Sequence, residues 1–195
     1  MAVESELARY VTMLQRGGVI ACATETQFGL LADARSERAI ANVVAIKQRG
    51  SEPIALLVPD LACAESIGEF DDAARALASR HWPGPLTLVL RTRGDLPDEQ
   101  TLPRALLRDG TIGLRVPGAS PALDLVRAFA GPLTATSCNP SGLPAAHTAE
   151  QARAYFGDRL AAILPEPALG GPPSTIVDVT GEILRVLRQG AIVVA

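Results

Sequence analysis

The chain has 195 residues, 48% of them hydrophobic and 20% charged, with a formal net charge of −3. That length supports one substantial core, and no run approaches the roughly 20 apolar residues of a membrane-spanning helix. An acidic balance with only 4% aromatic residues argues against a general nucleic-acid-binding surface, so any polyanion has to be held by a local basic cluster.

Val3, Leu7, Tyr10, Val11 and Leu14 recur at helical spacing, and Gly17-Gly18 stops that helix before a short apolar strand, Val19 to Ala23. Ser36 is an N-cap for a helix whose Ile40, Val43 and Val44 share a face and whose end carries Lys47. Ile54 to Val58 reads as a buried strand. Asp71 to Arg80 is helical until Trp82-Pro83-Gly84-Pro85 breaks it ahead of the strand Leu86 to Leu90. Thr111 to Val116 is a further strand. Ser120-Pro121, an N-cap with proline at the first helical position, opens a helix to Ala130. Leu133 to Ser137 is strand-like, and Thr148-Ala149-Glu150-Gln151 fits a capping box for a helix ending near Gly157. Ala161 to Leu164, Thr175 to Val179 and Ile183 to Leu187 supply the last strands. Helices and strands alternate irregularly, which predicts an α/β protein with a mixed sheet and not a doubly wound parallel one.

Cys22, Cys63 and Cys138 are odd in number, far apart and free of CxxC spacing, which argues against a disulfide framework or a cysteine zinc site and for buried free thiols. His81 and His147 are too few and too separated for a histidine metal centre or a Ser-His-Asp arrangement. No Walker A sequence and no GxGxxG is present. Met1 to Glu6 lacks the basic-then-apolar order of a signal peptide, so a cytoplasmic protein with one domain over residues 1–195 is expected.

Lys47 is a single lysine beside seventeen arginines. A compact, mobile ammonium suits phosphate oxygens better than a planar fork does, although cations at a helix C-terminus also serve the macrodipole. Two polar segments follow strands: Thr24-Glu25-Thr26-Gln27-Phe28-Gly29-Leu30 and Ser137-Cys138-Asn139-Pro140-Ser141-Gly142. Their hydroxyls and amides can hold a ligand, and ordinary turns use the same residues. Arg115 and Arg188 are each flanked by strand-type apolar residues, and a buried arginine needs either a structural carboxylate or an anionic ligand. Trp82 reads as structural. Lys47, ending a helix, is expected to lie outside the core, so that its removal would cost activity far more than stability.

Taken in order, seven segments resemble the YrdC-like threonylcarbamoyl-adenylate synthases: Ala23 to Leu30, Lys47-Gln48-Arg49, Trp82 to Thr87, Leu114 to Pro117, Ser137-Cys138-Asn139 with Ser141-Gly142, Ser174-Thr175-Ile176, and Leu187 to Gly190. The resemblance spans nearly the whole chain and keeps the family's Lys-x-Arg and Ser-x-Asn motifs. It implies a twisted mixed sheet flanked by helices, with a concave, positively lined cavity, in the short single-domain bacterial form. The implied reaction joins ATP, L-threonine and bicarbonate (or carbon dioxide) into threonylcarbamoyl-AMP and pyrophosphate, for the N6-threonylcarbamoyladenosine modification of tRNA position 37.

By similarity, Lys47, Arg49, Thr111, Ser137, Asn139, Ala145 and Arg188 would hold ATP, and Thr24, Arg115, Ala135 and Ser174 would hold threonine. Positioning and charge neutralisation, with Mg2+ on ATP, would then carry the reaction without a catalytic nucleophile or a dedicated protein metal site. The implied partners are a threonylcarbamoyl-transferase complex acting on tRNA and weakly bound RNA, with no membrane. Ala23, Phe28, Gly50 and Leu57 depart from residues usual in the family. The alternatives are a non-catalytic RNA-binding member and a carbamoyl-transfer module of the hydrogenase-maturation type.

Overall fold

The structure, a computed structural model, describes residues 2–47, 53–95, 101–166, 168 and 170–194. The chain opens with helix α1 (Ala2–Gln15), which ends where Gly17 turns to φ +79° and donates to Leu14 O. Strands β1 (Ile20–Ala23) and β2 (Phe28–Leu31) form a hairpin in which Ala23 faces Phe28. Helix α2 (Glu37–Lys47) is capped by Ser36 Oγ, which accepts from Ala39 N at 3.3 Å. Strand β3 (Ala55–Leu57) leads to α3 (Leu61–Ile67) and α4 (Asp72–His81), whose first turns are capped by Asp60 and Asp71.

Strand β4 (Leu86–Arg91) and a 3-10 turn at Arg104–Leu106 precede β5 (Thr111–Arg115). Helix α5 (Pro121–Phe129) has Ser120 as its N-cap and ends at Ala130 in the left-handed region. Then come β6 (Leu133–Ser137), α6 (Ala149–Phe156) with Thr148 as N-cap, and the strands β7 (Ala162–Ile163), β8 (Thr175–Asp178) and β9 (Arg185–Arg188).

Among the described residues the strands form one sheet in the order β7-β1-β2-β6-β3-β5-β4-β8-β9. The pairs β7–β1, β3–β5 and β4–β8 are parallel and the rest antiparallel, the mixed sheet that the irregular alternation predicts. One continuous core includes Leu14, Ile20, Leu56, Leu88, Leu114 and Leu125. No helix among the described residues is long and apolar enough to cross a membrane.

Three sequence readings change. Thr24 to Leu30 is not one polar loop: Thr24 to Gln27 turn, and Phe28–Leu31 is a buried strand, because Phe28, Leu30 and Leu31 carry the apolar surface that the core requires. The last strand begins at Arg185, leaving Ile183 in the preceding turn at 78% exposure. Cys63 is half-buried on a short outer helix, while Cys22 and Cys138 are buried. Trp82 is structural as read: its Nε1 donates to Leu86 O at 2.7 Å and its ring meets Phe70 edge-on.

Candidate functional site

Strand side chains alternate between faces, so the strand registers map one face of the sheet directly. Ala135 pairs with Ala55, Leu57 with Arg115, Val89 with Gly113 and Val89 with Asp178. The same face therefore carries a central row of Ala135, Ala55, Gly113, Val89 and Asp178. A neighbouring row holds Arg115 and Thr87, and on the opposite side of the centre lie Thr111 and Ser137.

These residues line a cavity of about 750 Å³, within the size range of small-molecule sites. Its floor is low because the central residues are small. A Cβ added to Gly113 would lie 3.2 Å from Ala55 Cβ and 3.3 Å from Thr87 Cγ2. Ser137 and Arg115 stand two residues to either side of the central row, roughly 13 Å apart along the strands at about 3.3 Å of rise per residue.

At one end of the cavity, the Ser137 to Asn139 loop is gathered around Lys47. Its Nζ donates to Ser137 O at 2.7 Å, Asn139 O at 2.8 Å and Asn139 Oδ1 at 2.8 Å, with Ser137 Oγ at 3.4 Å. Ser137 Oγ in turn donates to Asn139 Oδ1 at 2.6 Å. Lys47 is only 3% exposed, which corrects the expectation that it lies outside the core. The last turn of α2 delivers the side chain inward, where three oxygens match the three protons of an ammonium.

At the other end, Arg115 donates through Nε to Gly84 O at 3.1 Å and through Nη2 to Glu25 Oε1, so the structural carboxylate that a buried arginine calls for is Glu25. Arg188 donates to Ser174 O from Nε and Nη2, at 3.1 and 2.9 Å, and to Ser174 Oγ at 3.1 Å. Those acceptors are neutral. Burial first, and then the like charge of Arg115, pulls the Arg188 pKa below its ordinary value, yet a guanidinium remains protonated there. An anion bound between the two guanidinium groups would relieve that repulsion. Thr87 Oγ1 and Ser174 Oγ are 2.9 Å apart and complete this end.

Gly190 lets the chain pass tightly behind Ser174: a Cβ there would lie 2.6 Å from Ser174 C and 2.7 Å from Ser174 O. Thr24 Oγ1 accepts from Thr26 N and Gln27 N at 3.2 and 3.1 Å, locking the turn before β2.

Of the residues that the sequence singles out, Thr24, Thr111, Arg115, Ala135, Ser137, Ser174 and Arg188 all line the cavity, as do Phe28 and Leu57. Lys47 and Asn139 join it through the Ser137 loop. Ala145 is next to Ala146, whose carbonyl accepts from Phe28 N at the edge of β2. Arg49 and Gly50 lie outside the described residues. The sequence reading passed over Thr87, Arg108, Asp109, Asp178 and Arg185, which also line the cavity. Asp178 could have been found by alternation, since Ser174, Ile176 and Asp178 occupy every second position. Burial would push its carboxyl up, but hydrogen bonds from Thr180 and Arg185 outweigh that and hold it below the ordinary carboxylate range.

Among the described residues four arginines and two aspartates line the cavity, a net positive lining on a negatively charged chain. A smaller cavity of about 350 Å³ is bordered by Glu6, Asp124 and Glu166, the wrong sign for a nucleotide. Among the described residues no three His, Cys, Asp or Glu side chains converge as a metal cage.

Known proteins share this sequence pattern and fold. The family model Sua5, YciO and YrdC, described as telomere recombination, matches residues 12–190. A threonylcarbamoyl-AMP synthase of Cellvibrio japonicus (strain Ueda107) is 37% identical over 181 residues, 89% of this chain and 91% of that protein. P. abyssi Sua5 complexed with L-threonine superposes with a TM-score of 0.85 at 30% identity, over 96% of this chain and 54% of that one. This chain therefore spans about half the length of P. abyssi Sua5. E. coli YciO superposes with a TM-score of 0.84 at 26% identity, over 96% of this chain and 90% of that one.

Proposed function

The chain belongs to the Sua5, YciO and YrdC family, and from that premise we propose that it is an L-threonylcarbamoyl-adenylate synthase supplying the tRNA N6-threonylcarbamoyladenosine modification. The observation that carries the reading is the meeting of Lys47, the lysine of the Lys-x-Arg motif, with Ser137 and Asn139 of the Ser-x-Asn motif at one end of a cationic cavity. The relatives named as synthases favour it over a non-catalytic RNA-binding role.

In this reading the amine of threonine captures carbon dioxide, supplied by bicarbonate, as a carbamate. A carbamate oxygen then attacks the α-phosphorus of ATP, and pyrophosphate departs with the electron pair of the broken P–O bond. Such displacement depends on alignment and charge neutralisation more than on covalent help from protein. The end formed by Lys47, Ser137 and Asn139 would face the phosphates, with Arg49 as a further phosphate ligand, Thr111 and Ala145 toward the nucleotide and Arg188 reaching it from the Ser174 end. Thr24, Arg115, Ala135 and Ser174 would hold threonine, the Arg115 guanidinium matching its carboxylate. The small central row leaves room for the new acyl-phosphate link between the two ends.

Magnesium neutralises phosphate charge in reactions of this kind. Here the ion would be carried in by the triphosphate with its own waters. The product would pass to a transferase acting on tRNA.

The test is pyrophosphate release by the purified protein with ATP, threonine, bicarbonate and magnesium, with the nucleotide product identified by mass. Threonine-dependent release above an ATP-only control is expected; its absence refutes the assignment.

A further inference from the structure

The hydrogen bonds of Arg115 divide its guanidinium into two edges. The edge formed by Nε and Nη2 is filled by protein, through Gly84 O and Glu25 Oε1. The Nη1 protons have no hydrogen-bond partner among the described residues. With the second proton of Nη2 they form the end-on fork that a carboxylate fits.

Glu25 lies behind this arginine and not beside the cavity. Arg115, Thr24 and Thr26 line the cavity, while the Glu25 side chain, 13% exposed, lies against the backbone of Gly118, where an added Cβ would come within 3.1 Å of Glu25 Cγ. Glu25 Oε2 is buried and has no hydrogen-bond partner among the described residues. A carboxylate kept in that half-satisfied state adds little stability, because burial of the charges offsets much of their attraction. What it does is constrain direction. The turn from Thr24 to Gln27 is itself locked by Thr24 Oγ1, so Glu25 is offered to Arg115 from a rigid support.

We propose that Glu25 is a positioning residue: it holds the filled edge of Arg115 so that the open fork receives the α-carboxylate of the amino-acid substrate. The proposal rests on the threonine reading above. An isosteric amide at position 25 loses the charged acceptor, and the fork is free to rotate away from the substrate.

The experiment measures pyrophosphate release by the full chain with L-threonine and with L-threoninol, which keeps the amine and hydroxyl but lacks the carboxylate. Glu25→Gln is expected to raise the threonine KM about tenfold, the scale of one charge-assisted hydrogen bond. The KM for ATP and the kcat/KM for threoninol stay within about twofold of wild type, so preference for the carboxylate falls about tenfold with them. Gly118→Ala, which presses on Glu25 without removing its charge, raises the threonine KM in the same direction. A threonine KM unchanged in both variants overturns the proposal. Equal losses with threonine, threoninol and ATP also overturn it, since those report general damage to the fold. Wild-type protein without threonine-dependent pyrophosphate release removes the synthase reading, and this proposal with it, before any variant is made.

Discussion

Replacing Lys47 with methionine keeps the length of the side chain and removes its three donors. Lys47 is 3% exposed, and its ammonium holds Ser137 O, Asn139 O and Asn139 Oδ1 at 2.7 to 2.8 Å. Each of these half-buried acceptors costs about 1–3 kcal/mol when left without a donor, less what water restores. Part of that is recovered, because the variant no longer has to desolvate a charge. A net loss of about 3 kcal/mol lowers the melting temperature of a chain this size by roughly 6–12 °C. The assay is thermal unfolding followed by circular dichroism without ligand, beside pyrophosphate release on the same samples. Both stability and activity are expected to fall. A Lys47→Met protein that melts within about 2 °C of wild type yet has lost activity would refute the clamp role and return Lys47 to the purely ligand-binding part that its helix-end position suggests.

Two further predictions concern packing and burial. Gly190→Ala forces a Cβ against Ser174 C and O and Pro173 O, backbone atoms that cannot turn aside; a loss of about 2 kcal/mol or more is expected in urea unfolding, with weaker threonine binding as Ser174 and Arg188 shift, and wild-type stability would contradict this packing. Burial pushes the Cys138 thiol up to about 12 despite the nearby Lys47 charge, and raises Cys22 further, so both stay protonated thiols until the solution approaches those values. At pH 8 the native protein should therefore show no more than one thiol, Cys63, reacting on the minutes scale with a disulfide reagent, and three in denaturant; two fast thiols in the native state would contradict the burial.

Much of the local structure is legible in the chain itself. Ser36, Ser120 and Thr148 each cap the helix that follows, and Leu133 to Ser137 is a strand with the same bounds in sequence and structure. These features are decided by atoms a few residues apart: a hydroxyl reaching a free amide, or a period-two pattern that buries one face. The resemblance likewise rests on short contiguous motifs, and seven of the residues that it nominates line one cavity.

The spatial pairing of distant segments was decided by tertiary structure. Glu25 and Arg115 are 90 residues apart, as are Lys47 and Ser137. Their meeting depends on a sheet order in which β6 is inserted between β2 and β3 and β5 precedes β4. No periodicity encodes that order, because it follows from how the apolar faces of all the elements are buried together. By itself the sequence determined which residue types stand at the strand ends and which family they resemble. Only the fold turned Lys47 inward onto carbonyl oxygens and set a carboxylate behind Arg115, because hydrogen-bond partners for buried charges are assigned in three dimensions, after the chain has closed around them.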